Sequence, residues 1–286
     1  MIRQPRERNQ LRSKAINIVS PKNKIVLTTS QTVRRGQNTA TKSYIPKRSI
    51  PYSLALTWET HDLCKEMQDA VDSWRKLDPT LDVKVFDRRQ REKLVEFDPK
   101  VKKAYHLVTR NSAKADIWRL AYLFLNGGFY SDIDQISHVP ISRFVPNNIE
   151  FVISTRHSSR PCPIPATNNA FLGARPRCKI MQHLLYSVCE NVIRLSRTQK
   201  GKKILEESKG HAITGPWIIS KLLNSFVGRR EAMRWEKGKR NIKGTKALFL
   251  EHLPRTGFFV NDRFVVQEKY DGYEKAKSQV QNNTYS

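Results

Sequence analysis

The chain has 286 residues, enough to bury a sizeable core in one domain with elaborations. It contains no run of about 18 apolar residues, and we therefore expect no membrane span. Its 52 Lys and Arg against 26 Asp and Glu give a formal net charge of +26, which predicts attraction to polyanions such as nucleic acid, anionic lipid or phosphorylated substrates.

Residues 1–48 form the first segment, and they hold twelve Lys and Arg but a single acid, Glu7. Their apolar residues are too few and too scattered to build a core, so we predict a basic, weakly structured N-terminal arm. Such an arm is either a solvated tail or a polybasic contact with an anionic membrane surface. The segment lacks the apolar centre of a signal peptide, and the four cysteines show no C-x-x-C spacing. We therefore expect an intracellular protein, cytoplasmic or peripheral at a membrane surface, with reduced thiols.

Residues 49–286 are the predicted folded domain, which opens with a buried strand, Leu54–Leu56, and then Trp58. An amphipathic helix over 62–77 and a further strand follow. This alternation predicts an α/β protein with parallel pairing, in which nucleotides bind beyond the carboxyl ends of the strands. Because Trp58 lies at a strand end, it could stack on a nucleotide base or belong to the core. Farther along the chain, the basic stretch 228–244 is expected to be a surface loop.

The next segment, residues 111–134, has the most ordered pattern in the chain. Asn111 or Ser112 is expected to cap a helix whose apolar residues recur at helical spacing. The pair Gly127-Gly128 ends that helix, because glycine tolerates the left-handed conformation found at helix C-termini. An aromatic strand then leads to an acidic tip.

Two carboxylates at alternate positions, Asp132 and Asp134, form this tip and point to the same side of an extended chain. Negative charge concentrated where a buried strand leaves a sheet is costly unless a cation lies there. Oxygen ligands suit Mg²⁺ or Mn²⁺, so the pair is either a site for such a metal or, as most isolated pairs of this kind are, a solvated turn. On the preceding helix, Asp116 and Arg119 share a face in apolar surroundings, either as an exposed ion pair or as ligands of a substrate.

Helix, turn and acidic tip together resemble the DXD region of glycosyltransferase family 32, through Ala115-Asp116-Ile117-Trp118-Arg119, Asn126-Gly127-Gly128-Phe129-Tyr130 and Ser131-Asp132-Ile133-Asp134. That family includes the initiating mannosyltransferases of fungal outer chains, and the region is also similar to the sugar-transfer domains of the large clostridial toxins. The resemblance implies a GT-A type nucleotide-sugar-binding fold, α/β in class, with a mixed, mainly parallel sheet flanked by helices. It also implies a GDP- or UDP-sugar donor, a glycan or protein acceptor, Mn²⁺ or Mg²⁺ as the cofactor, and normally retention at the anomeric carbon.

Two later segments extend the resemblance. Asn169 begins a run similar to the family's N-A-F strand, and Thr214-Gly215-Pro216 resembles its TGP turn before a helix. A helix N-terminus offers N–H groups to an anion, so contact with a diphosphate is expected there. Asp132 and Asp134 are the expected catalytic and metal-binding residues. Donor contacts are expected from six further residues: Trp58, Asp116, Arg119, Asn169, Thr214 and Gly215.

Two other functions remain open from the sequence. The charge, above all that of residues 1–48, would suit a nucleic-acid-binding protein, although no zinc or RNA-binding signature occurs and nucleic acid is not the expected partner. A metal-dependent phosphoryl-transfer enzyme would share the acidic pair, but the chain lacks a phosphate-binding glycine loop.

Overall fold

The computed structural model describes residues 47–156, 167–207, 212–229 and 235–268. By its internal contacts the chain divides into Met1–Tyr44 and Ile45–Ser286, and all described residues belong to the second unit. The predicted N-terminal arm therefore lies outside the described residues, apart from its last two positions.

The described part of the chain contains both strands and helices. Its strands are β1 Ser53–Thr57, β2 Asp82–Phe86, β3 Gly128–Ser131, β4 Ile136–Ser137, β5 Phe151–Arg156, β6 Thr167–Ala174, β7 Gly238–Ile242, β8 Thr245–Leu253, β9 Gly257–Val260 and β10 Arg263–Gln267. Its helices are α1 Lys65–Leu77, α2 Arg88–Val95, α3 Pro99–Leu107, α4 Asn111–Asn126, α5 Ile141–Phe144, α6 Lys179–Leu195, α7 Gln199–Glu207 and α8 Pro216–Phe226. Among these, no helix is long and apolar enough to cross a membrane.

The strands form one mixed sheet in the order β2-β1-β3-β6-β5-β8-β9-β10-β4, with β7 also paired to β8. Strand β1 pairs in parallel with β2 and β3, and β5 pairs in parallel with β8. The other described pairings are antiparallel. The predicted α/β class and mixed sheet are confirmed, but parallel pairing does not prevail. Short turns join β7 through β10, and such turns allow only antiparallel neighbours.

Alternate residues of the strands face two apolar layers. Ala55 and Tyr130 belong to the layer that includes the buried faces of α3, α4, α6 and α8. Their neighbours along the same strands, Leu54 and Phe129, belong to the layer that includes α1. This period of two is the side-chain alternation of a strand, so the sheet is covered on both faces.

Helix α4 begins one residue earlier than the predicted cap requires. Its N-cap position is Arg110, which makes no side-chain capping bond, and Asn111 is already helical. The prediction that Asn111 or Ser112 caps the helix is therefore wrong, because a capping side chain must come from the residue before the first turn. The helix is buried around most of its circumference rather than along a single stripe.

The double glycine after α4 has the predicted role. Gly127 has φ 67° and donates its N–H to Leu123 O at 3.0 Å. Gly128 has φ 90°, and a Cβ placed there would lie 2.5 Å from Ser53 Oγ and 2.9 Å from Ser53 O. Both the left-handed conformation and the close approach of β1 therefore require glycine at this turn.

The basic stretch 228–244 is not entirely a loop. Strand β7 lies within it and pairs with β8 from Gly238 opposite Phe249 to Ile242 opposite Thr245. Its middle residues, Lys239, Arg240 and Asn241, are exposed. The expectation of a loop is wrong here because an exposed edge strand formed by pairing carries no apolar alternation of its own.

Candidate active site

The acidic tip leaves the sheet at the carboxyl end of β3. Strand β3 lies between β1 and β6, and Asp132 follows its last residue. The Asp132 N–H donates to Ala170 O at 2.9 Å, and the Gln135 N–H donates to Asp132 O at 3.2 Å, which forms a tight turn. The Asp132 side chain is 34% exposed, whereas Asp134 is 6% exposed. The two acids therefore share one turn but differ in their access to solvent.

A second set of contacts fixes this turn from beneath. Ser131 Oγ donates to Gln135 Oε1 at 2.7 Å, and the Trp74 indole N–H donates to Gln135 O at 3.1 Å. Ser131 and Gln135 are fully buried. The acidic turn is thus anchored to the core helix α1, and this anchor limits its movement.

Asp132 is held by two side chains on one of its oxygens. The Tyr130 hydroxyl donates to Asp132 Oδ1 at 2.7 Å, and Arg119 Nη1 lies 3.1 Å from the same oxygen. The guanidinium carbon of Arg119 lies 4.2 Å from the centroid of the Tyr130 ring, a cation–π contact. Burial raises the pKa of the Tyr130 phenol well above its usual range, so this hydroxyl remains a hydrogen-bond donor.

Arg119 and Asp116 are not an exposed ion pair. Arg119 Nη2 lies 3.3 Å from Asp116 Oδ1, and the two side chains are only 7% and 11% exposed. Arg119 Nη1 also donates to Asn169 O at 2.7 Å. Burial opposes the charge of Arg119, but the neighbouring carboxylates, Asp132 first, outweigh it and raise the Arg119 pKa. The surface interpretation of this pair is therefore wrong.

Asp116 receives further hydrogen bonds from distant parts of the chain. Asn169 Nδ2 donates to Asp116 Oδ1 at 2.8 Å, and Thr214 Oγ1 donates to Asp116 Oδ2 at 2.9 Å. Burial raises the pKa of the Asp116 carboxyl, and Arg119 and these two donors act against that increase. The structure thus brings together five of the predicted site residues, from α4, β3–β4, β6 and the turn before α8. They are Asp116, Arg119, Asp132, Asn169 and Thr214, called the buried polar cluster below.

Gly215 and Trp58 lie around this cluster. Gly215 is the N-cap of α8 and makes no side-chain capping bond, and Pro216 occupies the first turn as the predicted TGP turn requires. Trp58 is half-buried, and its backbone N–H donates to Phe86 O at 3.1 Å. Because β1 and β3 are parallel with Ala55 opposite Tyr130, Trp58 and the acidic turn leave the sheet at the same edge. The Trp58 indole nitrogen is buried and has no acceptor in the described part of the chain.

Two groups near this edge were missed from the sequence. Arg91, 1% exposed, donates from Nη1 to Trp58 O at 2.6 Å and pairs through Nη2 with Glu59 at 2.7 Å. Within the run Arg88–Lys93 it looks like any solvent-exposed base. The available signal is its i,i+3 and i,i+4 spacing to Leu94 and Val95, which places it on the buried face.

The second missed group is His252, which is 4% exposed at the end of β8. Its Nε2 lies 3.1 Å from Glu268 Oε2, and the Asn168 amide nitrogen lies 3.2 Å from the same ring nitrogen. Asn168 Oδ1 accepts from the Ala170 N–H at 2.7 Å. Since Ala170 O in turn holds the Asp132 N–H, this network supports the acidic turn from the side of β6.

The carboxylates fit a divalent metal only together with a substrate. No group of three or more His, Cys, Asp or Glu close enough to hold a metal occurs among the residues that the structure describes. Mg²⁺ is commonly held by one or two carboxylates, with substrate phosphates and water completing its shell. Asp132 Oδ1 carries the Tyr130 and Arg119 contacts, which leaves Oδ2 without a hydrogen bond or ion pair in the described ranges. The donor set thus suits a metal that arrives with a diphosphate.

The candidate site thus consists of the buried polar cluster and the acidic turn at the carboxyl end of β3. Residues 64–151 match the family described as "Glycosyltransferase sugar-binding region containing DXD motif". This match runs from the residue before α1 into β5 and includes Asp116, Arg119, Asp132 and Asp134. The predicted resemblance is therefore confirmed over these residues.

A relative and several solved structures are similar to the chain. The initiation-specific alpha-1,6-mannosyltransferase of Candida albicans is 26% identical over 124 residues, which are 41% of this chain and 32% of the relative. The chain thus spans about a third of that relative's length. The similarity to the PaToxG glycosyltransferase covers 62% of this chain and 68% of that structure's chain, with 16% sequence identity and a TM-score of 0.45. The similarity to the catalytic domain of alpha-toxin from Clostridium novyi covers 60% of this chain and 72% of that structure's chain, with 10% sequence identity and a TM-score of 0.45.

Proposed function

We propose that the protein is a metal-dependent glycosyltransferase that moves a sugar from a GDP- or UDP-sugar to a hydroxyl of a glycan or protein acceptor. One observation carries this proposal: Arg119 of the buried polar cluster holds Asp132, and both residues lie in the segment that matches a DXD glycosyltransferase region. A cluster this costly to desolvate is expected where it serves a substrate. Neither nucleic-acid binding nor phosphoryl transfer has a comparable observation in its favour.

Asp134 and Asp132 Oδ2 would hold Mn²⁺ or Mg²⁺, which when bound neutralises the diphosphate as it leaves. The chain itself orients Asp132 through Tyr130 and Arg119, which fix its other oxygen. The N-terminus of α8 at Gly215 would contribute backbone N–H groups to the diphosphate, since no side chain caps them.

Asp116 and Arg119 would act on the donor mainly as positioning residues. Their side chains are almost fully buried and are engaged with each other, with Asp132 and with Asn169. Through these contacts they set the place of the Asp132 carboxylate and of Asn169, which is 3% exposed. We infer that the surfaces which meet the donor are Asp132, the β6 edge and the turn at Thr214–Gly215, with Trp58 as a candidate for stacking on the base.

We propose that the transfer retains the anomeric configuration by same-face attack guided by the leaving phosphate. Asp116 is the most deeply buried carboxylate of the cluster, and hydrogen bonds engage both of its oxygens. Such a carboxylate is poorly suited to attack a sugar carbon, because attack would require it to lose those bonds. Without a protein nucleophile, retention requires that the acceptor hydroxyl approach on the face from which the diphosphate departs.

The decisive experiment is a thermal-shift screen of GDP- and UDP-sugars with and without Mn²⁺, followed by donor hydrolysis with the best donor. A matched donor raises the melting temperature because it binds the folded state only. Asp134→Asn is expected to lose the metal-dependent shift and to reduce turnover by about a hundredfold or more. Near-normal turnover in Asp134→Asn would contradict the assignment of Asp134 to the metal site.

A further inference from the structure

A cavity of about 350 Å³ lies between α6 and α8, outside the buried polar cluster. Ile218 and Leu222 give it an apolar side, and Trp217 and Arg194 add an aromatic ring and a cation. Among the residues that the structure describes, no acid lines it. A pocket with an apolar wall and a positive edge is suited to a ligand that has both a flat apolar face and a negative group.

Trp217 is the most exposed large apolar side chain in the described ranges, at 40%. It lies in the first turn of α8, and Lys221 is four residues on, on the same helix face. Its indole N–H has no hydrogen-bond acceptor within the part of the chain that the structure describes. An indole presented in this way offers a ring face for stacking and one unused donor at its edge.

Arg194 supplies a cation that no carboxylate neutralises in the described ranges. Its Nη2 donates to the neutral Asn191 Oδ1 at 2.7 Å, which orients the guanidinium without cancelling its charge. Asn191 is in turn tied to Ile213 O at 3.5 Å. An oriented guanidinium can bind a phosphate through two parallel hydrogen bonds.

The cavity adjoins the candidate active site along the chain. Thr214, which donates to Asp116, is three residues before Trp217. Three residues of extended chain span at most about 11 Å, so the Cα atoms of Thr214 and Trp217 lie within that distance of each other.

We propose that this cavity is an acceptor subsite for a sugar ring that carries a phosphate. Trp217 stacks on the ring face, while Arg194 binds the phosphate. The assignment as an acceptor subsite rests on the glycosyltransferase function proposed above. The choice of a phosphorylated sugar rests on charge complementarity, because the Arg194 guanidinium lines the cavity and its hydrogen-bond partner, Asn191, is neutral.

Calorimetric titration of the full chain with glucose 6-phosphate tests this subsite, with glucose and inorganic phosphate as separate probes. Glucose 6-phosphate is expected to bind more tightly than either probe alone. Trp217→Ala and Arg194→Gln should each weaken it by about tenfold, the loss of one stacking or one bidentate contact. Two matched controls should bind as the wild type does: Phe97→Ala, which removes a ring of similar exposure, and Arg197→Gln, which removes a charge one turn from Arg194.

Three results would overturn the subsite. Equal weakening in Arg194→Gln and Arg197→Gln would mean that only long-range charge attracts the ligand. No saturable binding of glucose 6-phosphate at millimolar concentrations would show that the cavity is not a sugar-phosphate site. Displacement of glucose 6-phosphate by lower concentrations of UDP or GDP would assign the cavity to the donor's nucleotide instead. These titrations need neither donor nor metal, whereas donor hydrolysis needs no sugar phosphate, so the failure of either proposal is seen separately.

Discussion

Arg119 is the side chain on which the charge balance of the site depends. It pairs with Asp116 and Asp132, lies over the Tyr130 ring and donates to Asn169 O. Removing one partner of a buried ion pair typically costs about 3–5 kcal/mol, because the other charge stays buried and unpaired. The same contacts that stabilise the fold therefore also place the carboxylate that is proposed to meet the metal.

Arg119→Lys is expected to lower both stability and turnover. Lysine keeps the charge but loses the planar fork that reaches Asp116, Asp132 and Asn169 O together. A buried acceptor left without its donor costs about 1–3 kcal/mol, which urea denaturation can resolve. Arg88→Lys is the control, since Arg88 pairs with Glu92 at an exposed position. Wild-type kinetics and donor protection in Arg119→Lys would confine Arg119 to a structural role.

The cysteines provide a test of burial that is independent of activity. Burial raises the pKa of the Cys189 thiol to about 12 from the ordinary 9.0, and burial also raises the pKa of Cys178. Cys64 is half-buried. Because the thiolate is the reactive form, an aromatic disulfide reagent at pH 8 should label Cys64 well before Cys178 or Cys189.

In denaturant Cys64, Cys178 and Cys189 should react at similar rates, as mass spectrometry of the labelled peptides would show. The raised pKa of Cys189 also has a consequence for stability. Between pH 9 and 12 the unfolded chain loses this thiol proton before the folded chain does, so the free energy of unfolding should fall as the pH rises. Rapid native labelling of Cys189 would contradict the packing of α6 described above.

At the scale of elements, the carboxyl end of β1 is held by α2 through Arg91. The guanidinium bonds to Thr57 Oγ1 at 2.8 Å, to Trp58 O and to Glu59, so it fixes the chain that carries Trp58. Arg91→Met leaves these acceptors without their donor in a site where Arg91 is 1% exposed. We expect a loss of about 3–5 kcal/mol in the free energy of unfolding.

The matched control is Arg88→Met on the same helix, where the exposed pair with Glu92 should contribute about 1 kcal/mol or less. Both variants remove one positive charge, so a difference between their free energies of unfolding reports the effect of burial. Equal stabilities by urea denaturation would show that Arg91 is not an anchor of β1.

The turn from α4 to β3 can be tested through its second glycine. Gly128→Ala combines a φ of 90° with a Cβ placed against Ser53, whereas Gly228 has φ 72° with nothing within 4 Å of a Cβ. Gly228→Ala should cost about 1 kcal/mol from backbone strain alone. Gly128→Ala should cost more, since β1 or β3 must also shift, and it should reduce turnover because Asp132 follows β3. Equal losses in the free energy of unfolding of the two variants would show that the close approach of Ser53 adds nothing to the effect of backbone strain.

The elements differ in how far the sequence could predict them. Apolar periodicity located α1, α4 and the first strands, and the motif order located Asp116, Arg119 and Asp132 in one segment. The partners of Asp116 could not be found by periodicity, because Asn169 and Thr214 lie 53 and 98 residues away. Strand β7 was missed because pairing with β8, rather than its own residues, makes it a strand.

At the scale of the whole molecule, the positive charge is unevenly spread. Residues 1–48 have twelve Lys and Arg against one acid, while the described domain pairs many of its cations with nearby acids, such as Lys237 with Glu251 and Asp262. Residues 1–48 carry a balance of +11, whereas the other 238 residues carry +15, so positive charge is several times denser along the arm. The arm is therefore the segment expected to govern long-range attraction, and the predicted peripheral location at an anionic membrane surface depends on it.

Deleting residues 1–45 tests that expectation without touching the candidate site. Donor turnover on a soluble acceptor and the melting temperature should stay at wild-type values, since Asp132 and the buried polar cluster belong to the unit Ile45–Ser286. Binding to vesicles that contain anionic lipid should weaken strongly, and the difference should shrink as salt shortens the screening length to about 8 Å at 0.15 M. A full-length variant with the arm's Lys and Arg changed to Gln should match the deletion, because charge rather than length is the cause. Neutral vesicles should bind all three proteins equally and weakly. A shortened protein that unfolds would show that the arm belongs to the core, and unchanged binding to anionic vesicles would move the source of attraction to the folded domain.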